Sequence, residues 1–488
     1  MVSMVKEFKM LINGKWCGAA SGKTFASINP FDEKPVGLFQ QGNEMDARKA
    51  VQAAKNAFMK WSEVPAPKRG EILFDIANEL KDRKQEFAEL ISLEMGKPII
   101  ESMGEVQEAI DLAYYLAGEG RRLFGHTTKS ELKDKIAFTV RLPVGVCALI
   151  TPWNFPISIP AIKMLTALVC GNSFVLKPSS DAPLCATRLV ELIEKHVKLP
   201  GVVNLVTGPG GTAGRELITN EDIRLIAFTG SIETGAFIRQ NAGLKKIGLE
   251  LGGKNAIIVM DDADIDLAVD GILWGAFGTT GQRCTACSRV IVHEKVKKEL
   301  EEKLLKRVKQ LRLGNGLDRK INVGPLVNES ALKKTENYVR IGLKEKARLL
   351  IGGKRLKGKG FFFEPTVFSN VKPGMRIARE EIFGPVLSII SVKNLDEAIR
   401  IANSVKYGLS SAIYTESIAN AFKAIEAIEA GLTYVNSSTT GSEAHLPFGG
   451  VKATGSTREQ GIIGIDEFTE IKTVYIDYSG KLQKAQID

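Results

Sequence analysis

Hydrophobic positions along the chain change between helical and strand spacing several times. Apolar residues recur every three or four positions over 45–61, 68–95 and 103–123, which predicts amphipathic helices. A β-rich segment over 135–150 follows them. Beyond it, helical stretches alternate with short continuous apolar runs such as 173–176, a pattern typical of parallel strands buried on both faces. The chain is therefore predicted to be an α/β protein.

A second alternating α/β stretch extends from about 261 to 436, with the apolar run 256–259 just before it. The chain has 488 residues, more than one hydrophobic core usually supports, so two or three domains are expected. The segment 473–478 alternates polar and apolar positions like an edge strand. Since an uncovered edge invites aggregation, this strand is expected to pair with a second subunit.

Composition and charge disfavour several classes of partner. No apolar run is long enough to span a bilayer, so no membrane partner is expected. The net charge is +10, but basic and acidic residues are interleaved, as over 295–309, so no nucleic-acid partner is expected. The start of the chain lacks a secretory apolar core, and six cysteines form no dense disulfide framework, which indicates a cytoplasmic protein. Histidines and cysteines lack ligand spacing, so no metal site is expected.

Cys284 lies among small residues and beside Arg283, within the segment 277–286. A nearby cation or backbone N–H lowers the pKa of a thiol and favours the nucleophilic thiolate. A lone cysteine is more often a core residue, so the interpretation depends on other motifs. If this segment is helical, Cys287 lies within one turn of Cys284, where it either packs or forms a disulfide with it. We favour packing.

Two further motifs carry groups that suit acyl-transfer chemistry. Glu250 lies between two leucines, and an apolar setting raises the pKa of a carboxyl group toward the range of a general base. Asn154 lies between Pro152 and Pro156, which fix the backbone around its amide, a group able to stabilise an oxyanion. Alone, each motif also fits an ordinary turn.

Two glycine-containing segments follow apolar runs and are expected to turn from strand to helix. The segment 208–211 follows the run 202–206, and the segment 228–231 precedes Thr234. Such turns bring backbone N–H groups to a pyrophosphate at the positive end of a helix. Either turn alone would more commonly be structural.

The strings TPWNFP, LKPSS, FTGS, LELGGK, GQRC, EEIFGPV and PFGG occur in this order along nearly the whole chain. In this the chain resembles the aldehyde dehydrogenase superfamily. The resemblance implies a Rossmann-like cofactor domain (1–122 and 143–252) and an α/β catalytic domain (253–465). It also implies a small β oligomerisation element (123–142 and 466–488), assembling a homotetramer or homodimer.

The resemblance also implies roles for individual residues. Cys284 would be the nucleophile, Glu250 the general base, and Asn154 with the Cys284 N–H the oxyanion hole, while Lys163 and Glu459 match positions near water and proton traffic. Ser231 would contact the pyrophosphate, Lys177 the adenosine ribose and Glu381 the nicotinamide ribose. The residues expected at the coenzyme are Thr151, Pro152, Trp153, Lys177, Ser179, Ser180, Gly210, Gly214, Phe228, Thr229, Gly230, Ser231, Thr234, Leu251, Gly252, Glu381 and Phe383.

The expected coenzyme is NADP, with NAD as an alternative. Family members that prefer NAD often carry glutamate at the third position after the lysine of LKPSS, where its carboxylate repels a 2′-phosphate. Here that position is Ser180, which leaves room for a phosphate near Lys177. The carboxylate of Asp181 competes for the same space if it turns toward it.

The expected reaction is oxidation of an aldehyde to the carboxylic acid through a thioester on Cys284. Arg283 and the stretch 437–445 resemble the corresponding residues of family members that act on anionic semialdehydes such as 2,5-dioxopentanoate. The alternative for Arg283 is that it only tunes the thiolate or forms a salt bridge. Two alternatives stay open: a dehydrogenase that passes the acyl group to coenzyme A, and a structural or binding protein with the same fold. The presence of Cys284, Glu250 and Asn154 disfavours the structural alternative.

Overall fold

The computed structural model describes residues 5–487. The helices among these residues are α1 (Glu44–Ser62), α2 (Ala66–Asp82), α3 (Lys84–Met95), α4 (Ile99–Glu119), α5 (Ser158–Cys170), α6 (Pro183–Val197), α7 (Arg215–Thr219), α8 (Ile232–Asn241), α9 (Ile265–Phe277), α10 (Lys297–Val308), α11 (Glu329–Lys344), α12 (Arg376–Arg379), α13 (Leu395–Asn403), α14 (Ile418–Ala427) and α15 (Gly461–Glu467). A short π-helix spans Gly210–Gly214 and a 3₁₀ turn spans Gly278–Gly281.

The strands are short, and most lie between helices in the chain. They are β1 (Glu7–Phe8), β2 (Met10–Ile12), β3 (Lys15–Cys17), β4 (Thr24–Ile28), β5 (Pro35–Gln40), β6 (Thr127–Lys129), β7 (Lys135–Pro143), β8 (Val146–Thr151), β9 (Ser173–Pro178), β10 (Val203–Leu205), β11 (Ile223–Thr229), β12 (Lys246–Glu250), β13 (Asn255–Val259), β14 (Cys287–His293), β15 (Arg348–Ile351), β16 (Thr366–Ser369), β17 (Val386–Val392), β18 (Tyr407–Gly408), β19 (Ser410–Tyr414), β20 (Leu432–Val435), β21 (Val451–Lys452) and β22 (Thr469–Asp477).

Two seven-stranded sheets organise the molecule, which confirms the predicted α/β class. The first has the order β12-β11-β8-β9-β10-β2-β3, and its strands from β8 to β12 are parallel. The second has the order β15-β16-β17-β14-β13-β19-β20 and is parallel except at β15. Every residue of β8, β9 and β13 is buried, as expected for strands covered on both faces.

Local sequence explains where several helices begin and end. Asn43 caps α1 and forms a reciprocal capping box with Asp46. Gly96 ends α3 in the left-handed region, at φ +83°. The apolar pattern over 68–95 predicts one helix, whereas the structure divides it at Arg83, whose backbone leaves the helical region (φ −101°, ψ 17°). The side chain of Arg83 bonds a carboxylate on each side of this break, Glu79 and Glu86, and so stabilises it.

A separate three-stranded sheet has the order β22-β7-β6. The strand predicted over 473–478 is confirmed as part of β22, at the edge of this sheet. Several apolar side chains of β22, among them Ile471, Tyr475 and Ile476, are exposed. Among residues 5–487, no helix combines the length and apolar character that a membrane crossing requires.

Candidate active site

The parallel strands of the first sheet bring the sequence motifs together at one edge. The strands β8, β9, β11 and β12 end at Thr151, Pro178, Thr229 and Glu250. Because these strands are parallel and in register, their carboxyl ends lie side by side, the usual place for a ligand in an open α/β sheet. The motif TPWNFP begins at Thr151, so it lies at the same edge as Glu250.

Cys284 follows the 3₁₀ turn, in which Thr279 and Thr280 adopt left-handed backbone angles. The carbonyl of Cys284 accepts a hydrogen bond from Asn255 at 2.7 Å. Its side chain is partly exposed and lines a cavity of about 1180 Å³, including the open mouth, which Glu250 also lines. The structure therefore places the predicted nucleophile and the predicted base around one cavity.

The geometry around Cys287 corrects the helical reading of this segment. Cys287 begins β14 and is buried, so it does not stand one helical turn from Cys284. Both thiols are free. The packing interpretation of Cys287 agrees with this placement.

The expectation that a cation activates the thiol of Cys284 is wrong for this arrangement. Desolvation by the protein atoms around the cavity, followed by the nearby carboxyl groups of Glu250 and Glu381, raises the pKa of the Cys284 thiol to about 12, and the backbone N–H of Thr285 offsets only part of this. The guanidinium of Arg283 donates instead to Glu101 at 2.6 Å. This environment favours the protonated thiol, so a base is needed to remove its proton.

Glu250 has the environment that its sequence setting predicts. Its side chain is buried, and its Oε1 has no hydrogen-bond partner among residues 5–487. Burial, together with the carboxylate of Glu459, holds the pKa of Glu250 well above its usual range. A carboxylate of high basicity beside a thiol is suited to proton abstraction.

Asn154 is rigidly placed beside the segment that carries Cys284. Its Nδ2 donates to the carbonyl of Gln282 at 3.0 Å, and its side chain is buried. An amide nitrogen carries two N–H groups, so a second donor remains for another acceptor. This arrangement suits an oxyanion hole formed with the backbone N–H of Cys284.

Lys163 and Glu459 form a buried ion pair between α5 and the segment before α15. Glu459 lines the same cavity as Cys284. The sequence analysis missed Glu467, whose two carboxyl oxygens are buried with no hydrogen-bond partner among the described residues. Burial raises the pKa of Glu467 to about 8. The sequence gives no signal for this burial, because it depends on how α15 packs against the sheet.

Glu381 lies against the glycine turn that follows Glu250. Its carboxylate accepts from the backbone N–H of Gly253 at 2.8 Å, and a Cβ on Gly252 would come within 2.5 Å of its Oε2. The ring of Phe383 meets Trp153 edge-on, with centroids 5.5 Å apart. The motifs EEIFGPV, LELGGK and TPWNFP therefore converge on one wall of the cleft.

The two glycine turns lie at the ends of β10 and β11, as predicted. Ser231 is the N-cap of α8 and accepts from Thr234 at 3.2 Å. Among the described residues, nothing lies within 4 Å of a Cβ built on Gly210, and a Cβ built on Gly214, at the end of the π-helix, would lie 3.4 Å from the side chain of Lys177. Phe228 and Thr229 end β11, Gly230 follows them, and Leu251 follows Glu250.

These features fit a dinucleotide coenzyme. The hydroxyl oxygens of Thr151 and Thr229 are buried without a hydrogen-bond partner in the described part of the chain, at the strand ends where a ligand would lie. The positive N-terminal end of α8 and the open space above Gly210 suit a pyrophosphate.

The residues expected near the adenosine ribose lie together. The side chain of Lys177 is buried, burial lowers its pKa to about 8, and its Nζ donates to the carbonyl of Pro178 at 3.0 Å. The hydroxyl of Ser180 donates to Gly208 at 3.3 Å, facing the first glycine turn. Asp181 accepts from Nδ2 of Asn328 at 2.9 Å and from Ser179 at 3.3 Å. Asn328, the N-cap residue of α11, thus holds the carboxylate of Asp181 in place.

The cavity that Cys284 lines also has polar walls that the sequence analysis missed. Glu101, Glu105 and Glu108 lie on one face of α4 at spacings of four and three residues, a helical signal that the sequence contained. Glu101 pairs with Arg283, and Glu105 pairs with Lys97 at 2.5 Å. Glu108 accepts from two serines, Ser158 at 2.9 Å and Ser442 at 2.7 Å.

Comparison with known proteins adds an independent finding. A model described as the aldehyde dehydrogenase family matches residues 16–474. The alpha-ketoglutaric semialdehyde dehydrogenase of Bacillus subtilis is 41% identical over 473 residues, covering 95% of this chain and 97% of the relative.

Solved structures agree with this result. An NAD-dependent aldehyde dehydrogenase from Sinorhizobium meliloti superposes with a TM-score of 0.96 at 38% identity, covering 99% of this chain and 97% of that one. An NADP-dependent enzyme from E. coli superposes with a TM-score of 0.94 at 36% identity, covering 97% of this chain and 98% of that one.

Proposed function

This chain belongs to the aldehyde dehydrogenase family, and we propose that its substrate is an anionic semialdehyde of the 2,5-dioxopentanoate type. The chain oxidises an aldehyde to the carboxylic acid with NAD(P)+. The observation that carries the substrate proposal is the position of Arg283, which lines the cavity beside Cys284 while its partner Glu101 uses only part of its hydrogen-bonding capacity. The relative from Bacillus subtilis, named for a semialdehyde, supports the same class.

Arg283 can hold Glu101 and a substrate carboxylate together. A guanidinium carries five N–H donors, of which one reaches Glu101 and another reaches Thr279 at 2.8 Å. Planar bidentate binding of a carboxylate needs two more. Its charge is shared with Glu101, however, so the attraction for an anion is moderate. A panel of aldehydes matched in length but differing in terminal charge, compared by kcat/KM, tests this assignment.

The chemical steps follow from the three groups around the cavity. Glu250 takes the proton of the Cys284 thiol, and the resulting thiolate attacks the aldehyde carbon to give a thiohemiacetal. The second N–H of Asn154 donates to the oxygen, where charge develops. When bound, the nicotinamide coenzyme supplies the hydride acceptor.

Hydrolysis returns the enzyme to its starting state. With the thioester on Cys284, Glu250 removes a proton from water, and the hydroxide oxygen bonds to the thioester carbon as the carbon–sulfur bond breaks. Asn154 again donates to the oxyanion. Between these two steps Glu250 must lose the proton that it took from the thiol, and Glu459, buried beside it and paired with Lys163, provides a carboxylate that can accept this proton.

Transfer of the acyl group to coenzyme A remains the second candidate reaction. Glu250 lies on the cavity wall, and its Oε1 has no hydrogen-bond partner in the described part of the chain, which favours activation of water over transfer of the acyl group to a thiol. Adding coenzyme A to the assay separates the two reactions, because only the acylating enzyme forms an acyl-coenzyme A product.

NADP is the preferred coenzyme in this proposal. Ser180 places a small hydroxyl beside Gly208 where a carboxylate would repel a 2′-phosphate, and Lys177 provides a cation. Asn328 holds the carboxylate of Asp181 and so keeps it from the same space. The ratio of kcat/KM values for NADP and NAD tests the preference.

The protein assembles as a homotetramer or homodimer through β22 in this proposal. Its exposed Ile471 and Tyr475 and its position at a sheet edge support pairing with a second copy. The cofactor domain comprises 1–122 and 143–252, the catalytic domain 253–465, and the oligomerisation element the remainder. Six free cysteines among the described residues support a cytoplasmic location.

A further inference from the structure

Glu467 is a buried carboxyl group that the catalytic steps leave unused. Its side chain is 7% exposed, and neither carboxyl oxygen has a hydrogen-bond partner within residues 5–487. A buried polar group without a partner costs free energy, so its retention calls for an explanation. The location of this carboxyl group provides one.

The carboxyl group of Glu467 occupies the space above Gly248, in the middle of β12. A Cβ built on Gly248 would lie 1.8 Å from Oε1 of Glu467, so only glycine leaves room for it. Side chains two positions apart on a strand point to the same face. The carboxyl of Glu467 therefore lies on the same face of β12 as Glu250 and takes the place of the side chain that residue 248 lacks.

The same face of β12 continues to the surface. Lys246 is two positions before Gly248, its side chain is 33% exposed, and its Nζ donates to the carbonyls of Asp466 and Thr469, both at 2.8 Å. Glu250, Glu467 and Lys246 thus form a row of ionisable groups along one strand face. From Lys246 to Glu250 the row spans roughly 13 Å along the strand, which is two repeats of about 6.6 Å each.

The groups of this row are electrostatically coupled to the buried ion pair beside Glu250. The ammonium of Lys163 lowers the pKa of both Glu250 and Glu467, and the carboxylate of Glu459 raises both. The titratable groups that face Glu467 are Lys163 on α5, Glu459 before α15, Glu250 and Lys246 on β12, and Cys147 on β8.

We infer that Glu467 is a positioning residue for proton release, which passes protons from the Glu250 region to solvent at Lys246. Oxidation of an aldehyde by NAD(P)+ and water yields a carboxylate, reduced coenzyme and two protons, and Glu250 receives protons in a buried site. In each transfer an O–H bond of Glu250 breaks, the proton moves through the Lys163–Glu459 pair or bridging water, and the carboxylate of Glu467 becomes a carboxyl. Glu467 then loses this proton to solvent near Lys246. The inference rests on Glu250 acting as the base.

The test compares two signals in one pre-steady-state experiment on the full-length enzyme. Enzyme with saturating coenzyme is mixed with propanal in weak buffer containing a pH indicator, and absorbance records reduced coenzyme while the dye records released protons. Propanal is uncharged, so the result does not depend on the semialdehyde assignment. In the wild type, proton release is expected to keep pace with coenzyme reduction.

The Glu467→Gln variant keeps the shape of the side chain but cannot carry the proton. We expect its first-turnover rate of coenzyme reduction to stay within about twofold of wild type, while proton release slows at least roughly tenfold. The solvent deuterium isotope effect on steady-state turnover should be larger in Glu467→Gln than in the wild type, because proton release is slower. Glu426→Gln, the same charge change on an exposed residue of α14, is the matched control and should leave both signals unchanged.

Either of two results overturns the inference: both signals unchanged in Glu467→Gln, or both slowed by the same factor. If Glu467→Gln does not fold, Lys246→Gln removes the outer end of the row and must delay the protons in the same way. Coupled signals in Lys246→Gln would then overturn it. An equal loss of acylation and deacylation rates in Glu250→Gln would instead refute the role of Glu250 as base, on which the inference rests.

Discussion

The guanidinium of Arg283 donates to the carboxylate of Glu101 at 2.6 Å, and both side chains are nearly buried at the cavity wall. The cation beside the nucleophile is therefore already paired before any substrate binds. The guanidinium carbon of Arg283 also lies 4.4 Å from the centre of the Trp274 ring, and this cation–π contact further fixes the guanidinium. The negative charge of Glu101 consequently competes with an anionic substrate for the charge of Arg283, although other N–H groups of Arg283 can bind the substrate carboxylate.

This competition predicts opposite effects of two substitutions. Glu101→Gln should lower KM for an anionic semialdehyde, because the substitution removes the competing charge. Arg283→Ala should raise this KM on the order of 10-fold, which corresponds to a loss of about 1.4 kcal/mol of binding free energy. Neither should change kcat/KM for propanal more than about twofold. Measurements of KM for both aldehydes in both variants check this, and an unchanged preference in Arg283→Ala would remove Arg283 from substrate recognition.

The coenzyme site predicts a second pair of variants. Ser180→Glu should depress kcat/KM for NADP on the order of 10-fold more than for NAD, since one unfavourable charge contact is worth about 1.4 kcal/mol. Asn328→Ala should also shift the coenzyme preference toward NAD, because it releases the carboxylate of Asp181. Adding Asp181→Asn to the Asn328→Ala variant should restore the use of NADP. Equal effects of Ser180→Glu on both coenzymes would show that Ser180 does not face the 2′ position.

The role of Glu250 predicts a change in kinetic phases. Glu250→Gln should slow deacylation on the order of 100-fold, because general base catalysis contributes about 10²-fold or more. Acylation should slow less, so that a burst of reduced coenzyme precedes a slow steady state. Stopped-flow absorbance measures both phases, and an equal loss in both would assign Glu250 a different role.

The raised pKa values predict an alkaline rise in activity. The carboxyl of Glu250 acts as a base only when ionised, and burial holds its pKa well above the usual range, so kcat should increase as pH rises through that pKa. The Cys284 thiol, with its pKa raised to about 12, should react slowly with iodoacetamide near neutral pH and faster at higher pH. A flat profile from acidic to alkaline pH would contradict both assignments.

The sequence predicted those parts of the site that depend on rare local strings. Cys284, Glu250 and Asn154 each lie within such a string, and the alternation of helices and buried strands predicted the parallel sheets. Glu467 and Asn328 could not be found in this way. Their roles depend on contacts between distant segments, as in the bond between Asn328 and Asp181, which are 147 positions apart.

Local charge was also a poor guide to electrostatics at the site. Arg283 is adjacent to Cys284 in sequence, which suggested a lowered thiol pKa, but the fold pairs Arg283 with Glu101 and places Glu250 and Glu381 near the thiol. Burial then dominates, because desolvation disfavours the charged thiolate. Neither the direction of the guanidinium nor the depth of the cavity is encoded in the neighbouring residues alone.

The central claim is that the acyl group is carried by Cys284, and intact-protein mass spectrometry tests it most directly. Glu250→Gln enzyme, mixed with coenzyme and 2,5-dioxopentanoate and quenched in acid, should gain the mass of one acyl group. Peptide mapping should place it on the peptide that contains Cys284, and Cys284→Ser in the same background should gain no thioester. Formation of reduced coenzyme with no added mass, or an adduct on another cysteine such as Cys287, would contradict the account.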